Sequence, residues 1–437
     1  MKQLVFGTDG IRTKFGTEPL TPELLVRLGR SIGQWAINNS KLHIAIAHDS
    51  RASGDLIKAS LQTGLLQFPV IVTDCKVIPT PLLAHLVDHS EFDCGIMITA
   101  SHNPASDNGI KILLKEQGKL SESDEKEVIN LFSKDTGHYN PANLGTLKEF
   151  VQTDTWYINH LMPFFAPEFL AKKRIVLDCA HGAVSKIAPL VFAHYKAEVI
   201  TLHANPNGHN INQNCGSVHP EILQKTVVET NADFGCAFDG DGDRLCIVSR
   251  DGIVKDGDDI LALLSNHPTY TEQSIIVGTV MSNQGIVQHC ITANKKFVRT
   301  PVGDKYVAKE LKNNNALLGG EPSGHTILRD FSETSDAIFT ALKVLETALL
   351  TNNDRCISFV KFPQVIINIP AGQKKDLNDP STSEFIKSKE AQLQQGRILV
   401  RYSGTEPLLR IMIECSDASV AQSVATELSN YFKNYLQ

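Results

Sequence analysis

Three times along this 437-residue chain a short apolar run leads into a loop of unusual composition, and the surroundings of the three loops match. A first strand candidate lies at 43–47, 174–177 and 274–277, a second at 69–72, 198–201 and 296–299, and a third at 94–98, 234–238 and 316–319. Each is a few apolar residues bounded by polar or Gly residues, the pattern of a strand buried between helices. Helical patterns such as 21–38 and 335–351 fall between or beside them. The reading is three weakly similar α/β units, each about a hundred residues long. In such sheets ligands gather beyond the carboxyl ends of the strands. The third strand of each unit runs straight into a loop: Thr99-Ala100-Ser101-His102-Asn103-Pro104, Asp239-Gly240-Asp241-Gly242-Asp243-Arg244 and Gly320-Glu321-Pro322-Ser323-Gly324-His325. If the units pack around a common centre, the three loops face one cleft.

The tail breaks the pattern. Strand candidates at 364–369, 396–401 and 408–414, short connections and a last helix at 418–435 predict a small α+β domain. The expected boundaries are 1–150, 151–251, 252–361 and 362–437. A chain of this length exceeds one core, so several domains are the natural outcome.

Composition removes whole classes of function. The net charge is −6 and no long Lys/Arg run occurs, which argues against nucleic acid as a partner. No apolar stretch approaches the ~20 residues of a membrane span. The apolar stretch near Met1 is too short for a secretory segment. Nine cysteines without a C-x-x-C pair read as reduced, buried thiols, and the expected location is cytoplasmic.

The loops carry the chemistry. Ser101 has no G-x-S-x-G elbow around it, so it does not read as a hydrolase nucleophile. A serine can instead carry phosphate if a metal or base is near. Asp239, Asp241 and Asp243 alternate with glycines that let the loop curl, and three carboxylates on one side suit Mg²⁺. An EF-hand fails here: the position for its glycine is Arg244 and that for its last glutamate is Arg250. Arg244 suits a phosphate oxygen. Glu321, Ser323 and His325 alternate similarly and could bond adjacent sugar hydroxyls. Arg401-Tyr402-Ser403-Gly404-Thr405-Glu406-Pro407 offers a guanidinium, hydroxyls and free backbone N–H groups, a phosphate cradle to which Arg410 could add charge. Lys111, by itself, reads as a solvated surface lysine.

Together, T-A-S-H-N-P, D-G-D-G-D-R, G-E-x-S-G-H and R-x-S-G-T-E-P in this order resemble the α-D-phosphohexomutases, over essentially the whole chain. The resemblance implies three related α/β domains and a carboxyl-terminal domain of the TATA-binding-protein-like type around a central cleft. It implies that Ser101 is the serine phosphorylated in the active enzyme and, with Asp239, Asp241 and Asp243, a ligand of one Mg²⁺. It makes Glu321 and Ser323 sugar contacts, and Arg401, Ser403, Gly404 and Thr405 a distal phosphate site. Arg12 in Thr8-Asp9-Gly10-Ile11-Arg12 matches an arginine near the phosphoserine, and Lys111 and His325 match residues of acid–base work. Lys305 stands where the family more often has arginine, as G-D-R.

Within the family, Phe6-Gly7-Thr8-Asp9-Gly10-Ile11-Arg12, Asn210-Ile211-Asn212, Cys215-Gly216-Ser217-Val218-His219-Pro220-Glu221 and Ser403-Gly404-Thr405 are most like the bacterial branch acting on glucosamine phosphates. Thr13-Lys14 departs from it, where a glycine usually follows the arginine. The implied reaction interconverts glucosamine 6-phosphate and glucosamine 1-phosphate through a bound 1,6-bisphosphate. Lys111 takes the hydroxyl proton, a glucosamine or glucose 1,6-bisphosphate serves as activator, and a homodimer is the assembly the branch suggests. Mannose or glucose phosphates are the alternative substrates; a metal-dependent phosphatase or a sugar-phosphate binding protein is the alternative class.

Overall fold

The computed structural model describes residues 4–7, 9–135, 137–372, 374–403 and 407–436. It divides into two compact units: Met1–Val280 with Val298–Ile357, and Met281–Phe297 with Ser358–Gln437.

The first unit holds three mixed sheets built on one plan. In the first, Cys94–Ile98 runs parallel to His43–His48 and antiparallel to Asp107–Leu114, with Ile71–Val77 beyond His43–His48. In the second, Phe234–Phe238 runs parallel to Arg174–Asp178 and antiparallel to Leu245–Ser249. In the third, Leu318–Gly320 runs parallel to Ile275–Thr279 and antiparallel to Thr326–Leu328. Each motif loop is therefore the hairpin between a buried parallel strand and an antiparallel return. Periodicity of apolar runs reveals the outgoing strand but not that the chain turns back at once, so the return strands are the structure's addition.

Local chemistry explains the element ends. Pro22 begins the helix Pro22–Asn38 after an extended Thr21, and its buried stripe of Leu25, Leu28, Ile32 and Trp35 follows the helical period. The strand expected from residue 69 starts later, at Ile71–Val77, because Pro69 has no N–H to give and Val70 N–H turns back to Phe68 O at 2.8 Å. Similarly Ala316 N–H still closes the preceding helix onto Leu311 O, so that strand begins at Leu318. Asp336 caps Ala337–Leu350, its carboxylate accepting from Phe339 N–H at 2.9 Å. The apolar core of the first sheet joins Leu28, Ile32 and Trp35 to Ile44, Ile46, Ile96, Ile98 and Ile112.

The second unit is an antiparallel sheet with Leu408–Glu414 between Gln364–Pro370 and Arg397–Tyr402, covered by the helix Ala418–Tyr435. The helix Gln284–Thr292 joins it: Asn283 exchanges hydrogen bonds with the backbone of Phe362 at 2.9 and 3.1 Å, and Arg397 donates to Ser282 O at 2.7 Å. All nine cysteines are buried thiols. Among the described residues no helix is long and apolar enough to cross a membrane.

Candidate active site

Ser101 sits just past the strand Cys94–Ile98 with φ of +50°, a left-handed conformation that costs a non-glycine residue about 1–3 kcal/mol. Neighbours hold it there. Its N–H donates to Thr99 Oγ1 at 2.9 Å, and its carbonyl accepts from Arg51 at 2.9 Å and Asn212 Nδ2 at 2.8 Å. Arg51 is itself anchored by Asp49 at 2.9 Å, which also accepts from Thr99 Oγ1 at 2.6 Å. Gly240 is required beside this cradle, because a Cβ there would stand 2.7 Å from Ser101 O. The hydroxyl is left to face the aspartate loop, where Ser101 Oγ donates to Asp239 Oδ2 at 2.7 Å. The neighbouring His102 ring is held low, to about 4, by burial and by Arg244 and Arg12, so it is a neutral imidazole at pH 7.

Asp239 shapes its own loop. Its Oδ1 accepts from the N–H groups of Gly242, Asp243 and Arg244, each at 3.1 Å. Asp241 uses Oδ2 to accept from Thr80 Oγ1 at 2.7 Å. One oxygen each of Asp239, Asp241 and Asp243 then lies within 4.8 Å of the others. Asp241 Oδ1 and Asp243 Oδ1 are buried without a hydrogen-bond partner among the described residues. Unpaired buried carboxylate oxygens are costly, and two of them converging with a third carboxylate fit a hard divalent cation with oxygen ligands. Burial, with Asp243 and Asp241 beside it, pushes the Asp239 carboxyl well up from its ordinary value. Burial also opposes ionisation of Asp243, but Lys111, His325 and Arg244 outweigh it and bring Asp243 down.

Lys111 is not the solvated lysine its sequence context suggests. The return strand Asp107–Leu114 sets it opposite Met97, fully inside, with Nζ at 3.0 Å from Asp241, 3.1 Å from Asp9 and 3.3 Å from Asp243. Burial alone would lower its pKa; these three carboxylates instead hold it well above the ordinary lysine value, so Lys111 is a cation as paired here. Asp9 extends the network, pairing with Arg12 and with Lys119 at 2.5 Å. Although burial disfavours its charge, Lys111, Lys119 and Arg12 keep the Asp9 carboxyl below the ordinary range. Lys119 reaches on to Asp304 at 2.5 Å, and Asp304 to His325 Nε2 at 3.5 Å. His325 Nδ1 is buried and has no hydrogen-bond partner among the described residues, and its backbone bridges Arg244.

The third loop is tied into the same unit. Glu321 accepts from Gly303 N–H at 2.9 Å, and Gly324 is needed where its φ is +92° and a Cβ would stand 2.1 Å from Leu245 O. Ser323 and Lys305 are exposed. Lys305, Lys111, Lys119, Asp304 and His325 share the wall of a cavity of about 460 Å³. Arg401 belongs to the second unit, where it stands opposite Arg410 in register and lines a pocket of about 290 Å³ with Asn368. Like charges directly opposite are unfavourable unless an anion is shared. Ser403 is buried, its N–H donating to Leu408 O at 2.8 Å; Gly404 and Thr405 lie outside the described residues.

Comparison with known proteins gives this arrangement a family. Models of the phosphoglucomutase/phosphomannomutase α/β/α domains I, II and III match residues 3–138, 156–252 and 256–359, and that family's C-terminal domain matches 366–430. A phosphoglucosamine mutase of Acinetobacter baumannii is 41% identical, with 99% of each chain covered. The chain belongs to the α-D-phosphohexomutase family. It is a mutase, an intramolecular phosphotransferase of the isomerase class. A phosphoglucosamine mutase of Acinetobacter baylyi is 40% identical over 98% of this chain and 99% of its own. The fold of a phosphoglucomutase/phosphomannomutase family protein from Burkholderia thailandensis superposes with a TM-score of 0.80 at 21% identity, covering 99% of this chain and 98% of that one.

In this phosphohexomutase the structure joins Ser101, the aspartate trio, Lys111, Arg12, Arg244 and His325 through direct contacts within one unit. Sequence reasoning missed the connecting residues Asp9, Lys119, Asp304, Arg51 and Asp49. Asp49 and Arg51 carried a signal as a charged pair two residues apart directly after a buried strand, and Asp9 and Asp304 stood inside the loops of Arg12 and Lys305 without a role assigned to them.

Proposed function

We propose that this phosphohexomutase interconverts glucosamine 6-phosphate and glucosamine 1-phosphate, with Ser101 as a reusable phosphoryl carrier. The carrying observation is a buried serine hydroxyl that donates at 2.7 Å to Asp239, one of a buried trio of carboxylates. The amino-sugar assignment is supported by relatives named phosphoglucosamine mutase at 40 and 41% identity along nearly the full chain.

In the first half-reaction the bond from phosphorus to Ser101 Oγ breaks as a new bond forms to the free hydroxyl oxygen of the sugar. The hydroxyl loses its proton, Ser101 Oγ gains one, and Lys111 and His325 are the groups that move them. The serine is left as a hydroxyl, the state whose hydrogen bond to Asp239 is described above. After the bound 1,6-bisphosphate turns end for end, the same transfers run backwards on the other phosphate. Asp239, Asp241 and Asp243, with the seryl phosphate, would hold one Mg²⁺. Such an ion neutralises charge gathering on the transferring group. Arg12, Arg244 and Lys305 add positive charge for phosphate, and Glu321 and Ser323 bond sugar hydroxyls. Arg401 and Ser403, with Gly404 and Thr405, take the phosphate that is not reacting. A glucosamine or glucose 1,6-bisphosphate primes the dephosphorylated serine.

A coupled assay on glucosamine, glucose and mannose phosphates, with bisphosphate present, tests the sugar. Higher kcat/KM for glucose or mannose phosphate overturns the amino-sugar reading. Ser101→Ala tests the carrier: turnover near that of the unaltered chain refutes it, and phosphate on Ser101 by mass spectrometry supports it.

A further inference from the structure

A second convergence of ligating groups lies elsewhere in the first unit. His85 and His89 are four residues apart in the helix Thr80–His89, so their side chains share one face. His160 comes from the helix Thr153–Leu161 and meets both, with ring centroids 5.0 Å from His85 and 4.6 Å from His89. Each offers a ring nitrogen, and the three nitrogens lie within 4.8 Å of one another. His85 is fully buried. Its Nε2 lies 3.2 Å from Asp336 Oδ2, while its Nδ1 and the Nε2 of His160 are buried without hydrogen-bond partners among the described residues. Ring stacking alone accounts for the rings but not for those nitrogens, since buried polar atoms ordinarily find a partner.

We infer that His85, His89 and His160 bind one transition-metal ion of the Zn²⁺ class, at a site separate from the aspartate trio. Three imidazoles suit Zn²⁺, Co²⁺, Ni²⁺ or Cu²⁺ and not Mg²⁺, which takes oxygen ligands. Metal–nitrogen bonds of ~2.0–2.1 Å put tetrahedral ligand nitrogens ~3.4 Å apart, so the rings close in by rotation on binding. His89, exposed at the last residue of its helix, has room to do so and gives the ion a way in. Asp336 completes the arrangement from behind. Its carboxylate holds His85 and accepts from Tyr157 O–H at 2.6 Å, the outer carboxylate that usually orients a metal-binding imidazole. The ion would tie Thr153–Leu161 to the far end of the helix whose first residue, Thr80, supports Asp241.

The test uses the untagged full chain stripped with a chelator. Zn²⁺ is titrated against a chromogenic competitor in millimolar Mg²⁺. Expected is one tightly bound Zn²⁺ per chain, kept in Asp241→Asn. His89→Ala and His160→Ala should each weaken it by more than the ~10–100-fold typical of losing only an outer partner. His89→Ala removes an exposed ring and should melt like the unaltered chain in chelator, so its loss of binding is not unfolding. A second readout uses Trp156, stacked on His160 at 5.0 Å and 15°. In a Trp35→Phe background Co²⁺ should quench its fluorescence, and adding His89→Ala should abolish the quenching. Equal Zn²⁺ affinity in the histidine variants, loss of all binding in Asp241→Asn, or no quenching overturns the site.

Discussion

Replacing Lys111 by methionine keeps the length of the side chain and removes its charge from among Asp241, Asp9 and Asp243, at 3.0, 3.1 and 3.3 Å. At an effective dielectric constant of ~20 each attraction is gross ~5 kcal/mol, most of it offset by desolvation of the ammonium. What matters is which carboxylates are stranded. Asp9 keeps Lys119 and Arg12, but Asp241 and Asp243 lose their closest cation. Breaking a buried pair by removing one partner costs ~3–5 kcal/mol. For so large a unit that corresponds to a melting temperature lower by about 6–10 °C, taking ~2 °C per kcal/mol. The loss belongs to the metal-free protein, since a divalent cation on the trio would compensate the same carboxylates. Differential scanning calorimetry in EDTA and in saturating Mg²⁺ reads both terms. The expected result is a large deficit in EDTA that shrinks by at least half in Mg²⁺, with turnover lost under both conditions. Equal melting of the variant and the unaltered chain in EDTA, or a deficit that Mg²⁺ leaves unchanged, would refute the electrostatic reading.

Two further substitutions probe other parts of the argument. Gly240→Ala places a Cβ 2.7 Å from Ser101 O and 2.8 Å from Asn212 Nδ2, and overpacking of this kind costs ~1–3 kcal/mol; turnover should fall far more than stability, and an unimpaired kcat sinks the cradle argument. Burial opposes the Glu346 charge, but bonds from His267 at 3.0 Å and Lys343 at 2.8 Å bring its carboxyl below the ordinary value. A depressed carboxyl stabilises the fold above its unfolded pKa and loses that contribution as pH falls through the folded one. Glu346→Gln should therefore melt lower than the unaltered chain at pH 7, with the gap narrowing below about pH 4; a gap that does not change with pH excludes this pair as the cause.

Much of the candidate site was legible in the one-dimensional chain because its chemistry is local. Asp239, Asp241 and Asp243 declare themselves by alternation with glycines, and Ser101 by its place just past a buried apolar run. The ends of elements were less legible: the strand expected from residue 69 begins at Ile71, and the helices expected from 21 and 335 begin at Pro22 and Ala337, where one residue's missing N–H or capping oxygen decides the backbone. Lys111 shows the opposite case. Nothing near it in sequence marks it as buried, and only the antiparallel pairing of Asp107–Leu114 with Cys94–Ile98 turns it inward. Lys119 and Asp304 are 185 residues apart, and the bond between them follows from packing alone. The same holds for His85, His89 and His160, which meet only because the helices Thr80–His89 and Thr153–Leu161 pack together. By itself the sequence determined which chemical groups stand on which loops, since residue type, spacing and turn geometry act within a few residues. Only the tertiary structure decided which charges share a buried space, because charges interact through distance and desolvation, and neither is a property of position along the chain.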